Sequence, residues 1–100
     1  MHSYQLSNKA VEDINDIWAY TLIEWSESQA EKYYEVLIAA FEQIASNPSL
    51  GKNYDEVIVD LKAFLVAKHI VLYRLISEEK IQIERILHQS MDIDSRIDKE

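Results

Sequence analysis

The stretch Asn47-Pro48-Ser49-Leu50-Gly51 divides the chain into two halves of different periodicity, and the fold can be read outward from it in both directions. It holds the only proline and the only glycine of the chain, and proline disfavours helical geometry in the residue before it, so a helix arriving from the N-terminal side must stop here. Reading backwards, Ala30, Tyr33, Tyr34, Leu37, Phe41, Ile44 and Ala45 recur at three- and four-residue steps, the apolar stripe of an amphipathic helix. Ser26-Glu27-Ser28-Gln29 matches a capping box at its start. Further back, Val11, Ile14, Trp18, Leu22 and Trp25 recur at the same steps with Glu12, Asp13, Asp16 and Glu24 between them, which predicts a first helix to about residue 25. Ser3-Tyr4-Gln5-Leu6 alternates like a short strand, and Ser7 or Asn8 can accept a bond from a free N–H at the helix start.

Reading forwards from Gly51, the period becomes that of a sheet. Val57-Ile58-Val59, Phe64-Leu65-Val66, His69 to Ile76 and Ile81 to Leu87 are rich in β-branched and aromatic residues at strand length. Ser77-Glu78-Glu79-Lys80 suits a tight turn between the last two. Ile70-Val71-Leu72-Tyr73 is apolar on both faces and belongs in the middle of a sheet, whereas Ile81, Ile83 and Leu87 alternate with polar neighbours. The order is β-α-α-β-β-β, an α+β class with the helical hairpin packed on one face of an antiparallel sheet. One hundred residues, 48% of them apolar, suffice for one core, so a single domain over 1–100 is expected.

Without cysteine, stability must come from packing, and the composition suits a reducing cytoplasm. Met1-His2-Ser3-Tyr4-Gln5-Leu6 lacks the pattern of a signal peptide, and nowhere do about 18 apolar residues run together, so no membrane role is expected. Residues 1–60 carry Lys9, Lys32 and Lys52 against eleven acidic groups, and the remainder balances seven of each, within a total of −8. An acidic first half opposes nucleic-acid binding, because phosphate affinity comes from Lys and Arg. No sequence-specific contact to nucleic acid is expected, and an anionic partner would have to meet the second half.

Candidate chemistry is sparse. His2, His69 and His88 stand far apart, so neither a metal nor another cofactor is expected, and a single glycine cannot build a phosphate-binding loop. What remains is a polar set on the last strands: Lys62, Lys68, His69, Tyr73, Arg74, Arg85 and His88. Strand alternation puts His69, Val71 and Tyr73 on one face, opposite Ile70, Leu72 and Arg74. Arg85 sits among Ile83 and Leu87 and needs a partner such as Glu84 or Asp92, because an unpaired arginine on an apolar face is costly. Trp18, Trp25, Tyr33 and Tyr34 fall within helical stripes and count first as core. Tyr33 and Tyr34, however, point about 100° apart, so one of them faces solvent or a partner.

Three stretches together carry a family resemblance. Residues Tyr4 to Trp18, with Leu6-Ser7 ending a strand ahead of a helix bearing Ala10, Asp13 and Ile14, resemble the opening of the bacterial ParE toxins. Trp25, Gln29-Ala30, Tyr33, Leu37, Phe41 and the segment Ala45 to Lys52 resemble that family's helical hairpin and its Asn-Pro-x-x-Gly exit. Lys68-His69-Ile70-Val71-Leu72-Tyr73-Arg74 and Ile83-Glu84-Arg85-Ile86-Leu87-His88 are similar to its two most recognisable strands. The resemblance covers about residues 4–94 and implies a toxin of a type II toxin–antitoxin module that inhibits DNA gyrase by binding and is neutralised by a ParD-like antitoxin. On that reading Lys62, Lys68, His69, Tyr73, Arg74 and His88 are candidates for target contact, Arg85 is structural or functional, and Trp25, Tyr33 and Tyr34 are candidates for antitoxin contact.

RelE-like relatives of the same superfamily instead cut mRNA on the ribosome with basic residues of the sheet. Ile70 and Ser90 occupy two positions where those enzymes place arginine, and no tyrosine follows Tyr73. Such a chain lacks groups for general acid–base and electrostatic catalysis, so a non-catalytic binder is expected. Asp60 and Lys62 also stand where ParE sequences often have glycine and arginine, and Ser90 replaces a frequent basic residue. A relative that binds an antitoxin but has lost toxicity is therefore the third alternative.

Overall fold

The structure, a computed structural model, describes residues 3–55 and 58–90. Strand β1 (Ser3–Leu6) leads into helix α1 (Asn8–Glu24), which is followed by α2 (Glu27–Ser46), a 3-10 turn (Pro48–Leu50), β2 (Lys52–Asn53), β3 (Lys62–Val66), β4 (His69–Ser77) and β5 (Lys80–His88). Both helix starts are capped as the sequence requires. The Ser7 hydroxyl accepts from Ala10 N–H at 3.0 Å and the Ser26 hydroxyl from Gln29 N–H at 3.1 Å, each satisfying a donor that the helix itself leaves free. The second helix stops at Ser46, one residue short of the Asn47-Pro48 pair.

The strands form one sheet in the order β1-β5-β4-β3-β2, which puts β4 at its centre. The expectation of an antiparallel sheet holds for β2 through β5 and not for β1, which runs parallel to β5 with Ser3 opposite Lys80 and Leu6 opposite Ile83. Tight turns dictate direction between β3, β4 and β5, but β1 and β5 are separated by nearly the whole domain, and no local signal sets their relative direction. The run Val57-Ile58-Val59 is the second departure. Val57 lies outside the described residues, and Ile58 and Val59 belong to a bend and turn. Asp60 adopts a φ of 67°, its N–H is held by the Asp55 carboxylate at 2.9 Å, and Tyr54 N–H reaches Leu61 O at 2.7 Å, so Tyr54, Asp55 and residues 58–61 belong to a loop instead of a strand.

Two apolar clusters sandwich the sheet. On the helix side Ala10, Ile14, Leu37, Phe41 and Ile44 pack on Val71, Tyr73, Ile81, Ile83 and Ile86. On the far side Leu61, Leu72 and Leu87 are buried with Tyr54, Ile58, Ala63 and Ile70 against them, so the loop does for this face what the helices do for the other. The strand β5 explains a third departure. Leu72 pairs with Arg85 but Tyr73 with Ile83, leaving Glu84 as an extra residue. This β-bulge reverses the alternation, so that Ile86 joins Ile81 and Ile83 under the helices while Leu87 goes to the opposite cluster. Arg85 therefore does not share one apolar face with both Ile83 and Leu87.

Candidate functional site

The polar residues singled out on the strands are gathered into three arrangements. The first ties the exit of the helical hairpin to the centre of the sheet. The hydroxyl of Tyr73, fully buried, donates to Pro48 O at 2.7 Å and accepts from Gly51 N–H at 2.8 Å. Burial raises its pKa above the ordinary 10, with the Gly51 N–H pulling the other way. A Cβ on Gly51 would stand 2.3 Å from that hydroxyl oxygen, so the glycine is required by close approach. The same contact accounts for the Asn-Pro-x-x-Gly spacing: proline ends the helix and offers its carbonyl, and glycine lets the phenol in.

The second arrangement lies at the start of β4. His69 pairs across the strands with His88, their rings meeting edge to face at 5.4 Å between centroids. Tyr33 of α2 hydrogen-bonds to His69 Nδ1, Lys68 N–H approaches the same hydroxyl at 3.4 Å, and the Ser90 hydroxyl lies 2.8 Å from His88 Nδ1. Burial lowers the His69 pKa from 6.5 to about 4, with His88 acting in the same sense and Asp13 against it. Burial raises Tyr33, which keeps its proton. The neutral imidazole and the Tyr33 hydroxyl share one hydrogen bond, and the group fastens α2 to the strand ends.

In the third, the arginines are paired with carboxylates. Arg74 Nε donates to Glu84 at 2.7 Å, with side-chain exposures of 46% and 22%. Arg85 holds Asp13 through Nε at 2.8 Å and a second nitrogen at 3.0 Å, a two-pronged bond with exposures of only 19% and 12%. Asp13 also accepts the Ile86 N–H at 2.9 Å, while Ser7 bonds Ile83 O and Glu84 O. Strand β1 pairs with β5 only as far as Ile83, and beyond that point side chains of α1 and its cap take over the edge. Of the partners considered for Arg85, Glu84 serves Arg74 instead and Asp92 lies outside the described residues. Asp13 had a signal of its own: it falls on the helical stripe of Ala10, Ile14 and Ile17.

The remaining candidates are placed as follows. Lys62 Nζ donates to Asn53 at 2.6 Å, and Lys68 is exposed at the β3–β4 turn. Of the three aromatic candidates on the hairpin, Tyr33 turns inward to His69, whereas Tyr34 is exposed and meets Trp18 edge to face at 6.1 Å beside a shallow apolar recess lined by Ile14, Ile17, Ala30 and Leu37. Trp25 is 69% exposed at the hairpin tip, near Ile23 at 80% and Tyr20 at 65%. Sequence reasoning did not single out Tyr20 or Ile23. Among the described residues no group of three or more potential metal ligands occurs, and no helix is long and apolar enough to cross a membrane.

Residues 4–93 match the family described as the ParE toxin of the type II toxin–antitoxin system, parDE. The chain belongs to the ParE toxin family. It is 34% identical over 94 residues to Toxin ParE1 of Mycobacterium tuberculosis, covering 94% of this chain and 96% of the relative. Toxin ParE1 of Caulobacter vibrioides is 35% identical over 92 residues, 92% of this chain and 94% of that one. A solved structure titled as the chromosomal ParDE system of P. aeruginosa superposes with a TM-score of 0.74 over 88% of this chain and 96% of its own, at 17% identity, which speaks for the fold. The chain is thus a ParE-type toxin of a parDE toxin–antitoxin system.

Proposed function

We propose that this ParE-type toxin acts in the cytoplasm by binding DNA gyrase and blocking it without turnover, and that a ParD-like antitoxin neutralises it. The observation that carries the non-catalytic reading is the state of the sheet's polar groups. Both strand arginines are bound to carboxylates, and Ile70, at a position where RelE-like enzymes place arginine, packs beside the buried Leu61, Leu72 and Leu87. Phosphodiester cleavage needs uncompensated donors aimed at the developing charge, and an ion pair already formed inside the protein offers little of that.

For the antitoxin, the support comes from the outer face of the hairpin. Tyr34 and Trp18 present an apolar surface on the acidic half of the chain, which suits a tail that lays an aliphatic side chain against their rings and places Lys or Arg beside it. Inducible expression in a bacterium, with a DNA-damage reporter and microscopy, tests the whole reading. Growth arrest with filamentation and reporter induction is expected, relieved by co-expression of the neighbouring antitoxin gene. Rapid ribosome-dependent mRNA cuts without a damage response would assign the chain to endoribonucleases, and harmless expression with tight antitoxin binding would mark an inert relative.

A further inference from the structure

We infer that the outer edge of β3 at Leu65 is a strand-pairing site, to which an extended acidic segment of the target adds as a further strand. The inference rests on the reading that the toxin acts by binding gyrase.

Strand β2, at that end of the sheet, pairs with β3 only through Lys52 with Ala63 and Asn53 with Lys62. The ladder fixes the direction of the backbone groups beyond that point. Tyr54 N–H bonds Leu61 O, and Val66 closes on His69 across the two-residue turn Ala67-Lys68. The backbone groups of Lys62, Phe64 and Val66 therefore face β4, while those of Leu61, Ala63 and Leu65 face outward. Leu61 and Ala63 meet Tyr54 and Lys52. The residue that the same register would set opposite Leu65 is Leu50, but it lies in the 3-10 turn, and Gly51 N–H is held by the Tyr73 hydroxyl. Among the described residues no strand lies along β3 at Leu65, whose N–H and C=O form the donor–acceptor pair of an open sheet edge. Its side chain is 61% exposed.

Backbone complementarity makes the occupant an extended segment, and charge selects whose. Lys52 and Lys68 are exposed on either side of the open stretch, whereas Asp55 and Asp60 lie past its covered end. A strand seated there should carry Asp or Glu. The antitoxin tail proposed above is basic where it meets the acidic hairpin, which does not suit an edge flanked by lysines. A second copy of this chain would bring its own lysines to the same edge. The acidic segment is thereby assigned to gyrase.

The test is amide hydrogen exchange of the toxin, read residue by residue, alone, with purified gyrase and with the cognate antitoxin. In free toxin Leu65 N–H should exchange fast while Phe64 and Val66, bonded to β4, are protected. Gyrase should slow Leu65 at least about 10-fold, and the antitoxin should leave it unchanged. Leu65→Pro removes a donor that no strand of this protein uses, so it should keep the melting temperature and antitoxin affinity and weaken gyrase binding by about 10-fold. Lys52→Glu/Lys68→Glu should slow association with gyrase in low salt. Leu65 N–H left unprotected by bound gyrase overturns the inference and leaves the proposed function intact. So does protection that the antitoxin confers instead, or that free toxin already shows through a second copy or its own remaining residues. Wild-type toxin that fails to bind gyrase overturns both.

Discussion

Replacing Arg85 with alanine should unfold this protein at ordinary temperatures far more readily than replacing Arg74. Asp13 is only 12% exposed and is held by two guanidinium nitrogens and the Ile86 N–H. Removing Arg85 leaves the carboxylate with the backbone donor and takes away its countercharge in a poorly hydrated position. Losing one partner of a buried pair costs about 3–5 kcal/mol, and residual exposure of both groups brings the expectation down to about 2–4. At roughly 4–8 °C per kcal/mol for a domain of this size, the melting temperature should fall by on the order of 10–25 °C. Arg74 is 46% exposed, and its bond to Glu84 belongs to the class worth about 0–1 kcal/mol, a shift of a few degrees. Thermal unfolding followed by circular dichroism distinguishes the two, and Asp13→Asn, which keeps an oxygen for Ile86 N–H, should fall between them. An Arg85→Ala variant that melts within about 3 °C of wild type would refute the argument that this pair latches α1 to the uncovered edge of β5.

Tyr73→Phe should cost about 1–3 kcal/mol in urea unfolding, since Pro48 O and Gly51 N–H lose their shared partner. Gly51→Ala should cost at least as much by driving a methyl into the phenol, and combining it with Tyr73→Phe should be less damaging than the sum of the two. Ala67 holds a left-handed φ of 53° in the β3–β4 turn, so Ala67→Gly should raise stability by about 0.5–1 kcal/mol, measured by the same unfolding series. Because His69 titrates near 4 in the folded protein and near 6.5 when unfolded, only the unfolded chain takes up the proton between those values. Its contribution to stability is complete above about pH 6.5 and is lost as pH falls toward 4, by about 1–2 kcal/mol after allowing for solvent screening. His69→Gln should flatten that part of the pH profile.

Most of the architecture was legible because it rests on local signals. Serine caps, the Asn47-Pro48 stop and apolar stripes at helical spacing placed both helices, and β-branched runs placed β3, β4 and β5. What stayed hidden depends on residues distant in sequence or on backbone geometry. No pattern in Ser3-Tyr4-Gln5-Leu6 announces a parallel neighbour 77 residues away. The bulge at Glu84 is invisible to a strict two-residue alternation, yet it decides which cluster receives Ile86 and which Leu87. Ile58 and Val59 read as strand because apolar β-branched residues look the same whether they pair or roof a cluster. Of the candidate site, alternation put His69 and Tyr73 on one face without telling that the face turns inward, and adjacency predicted only that one of Tyr33 and Tyr34 would face outward, which the structure shows to be Tyr34. The pairing of Arg85 with Asp13 required the tertiary fold, and the exposed apolar tip was masked because Leu22 and Trp25 fit the helical stripe that elsewhere signals burial.

Adding purified toxin stepwise to gyrase in a supercoiling assay, beside a ribosome-containing translation extract scored for mRNA cuts, tests the binding mechanism most directly. Supercoiling should fall in proportion to toxin until the two are near equimolar and recover when the antitoxin is added, with the messenger left whole. Unimpaired supercoiling together with mRNA cleaved by far less than stoichiometric toxin would contradict the account.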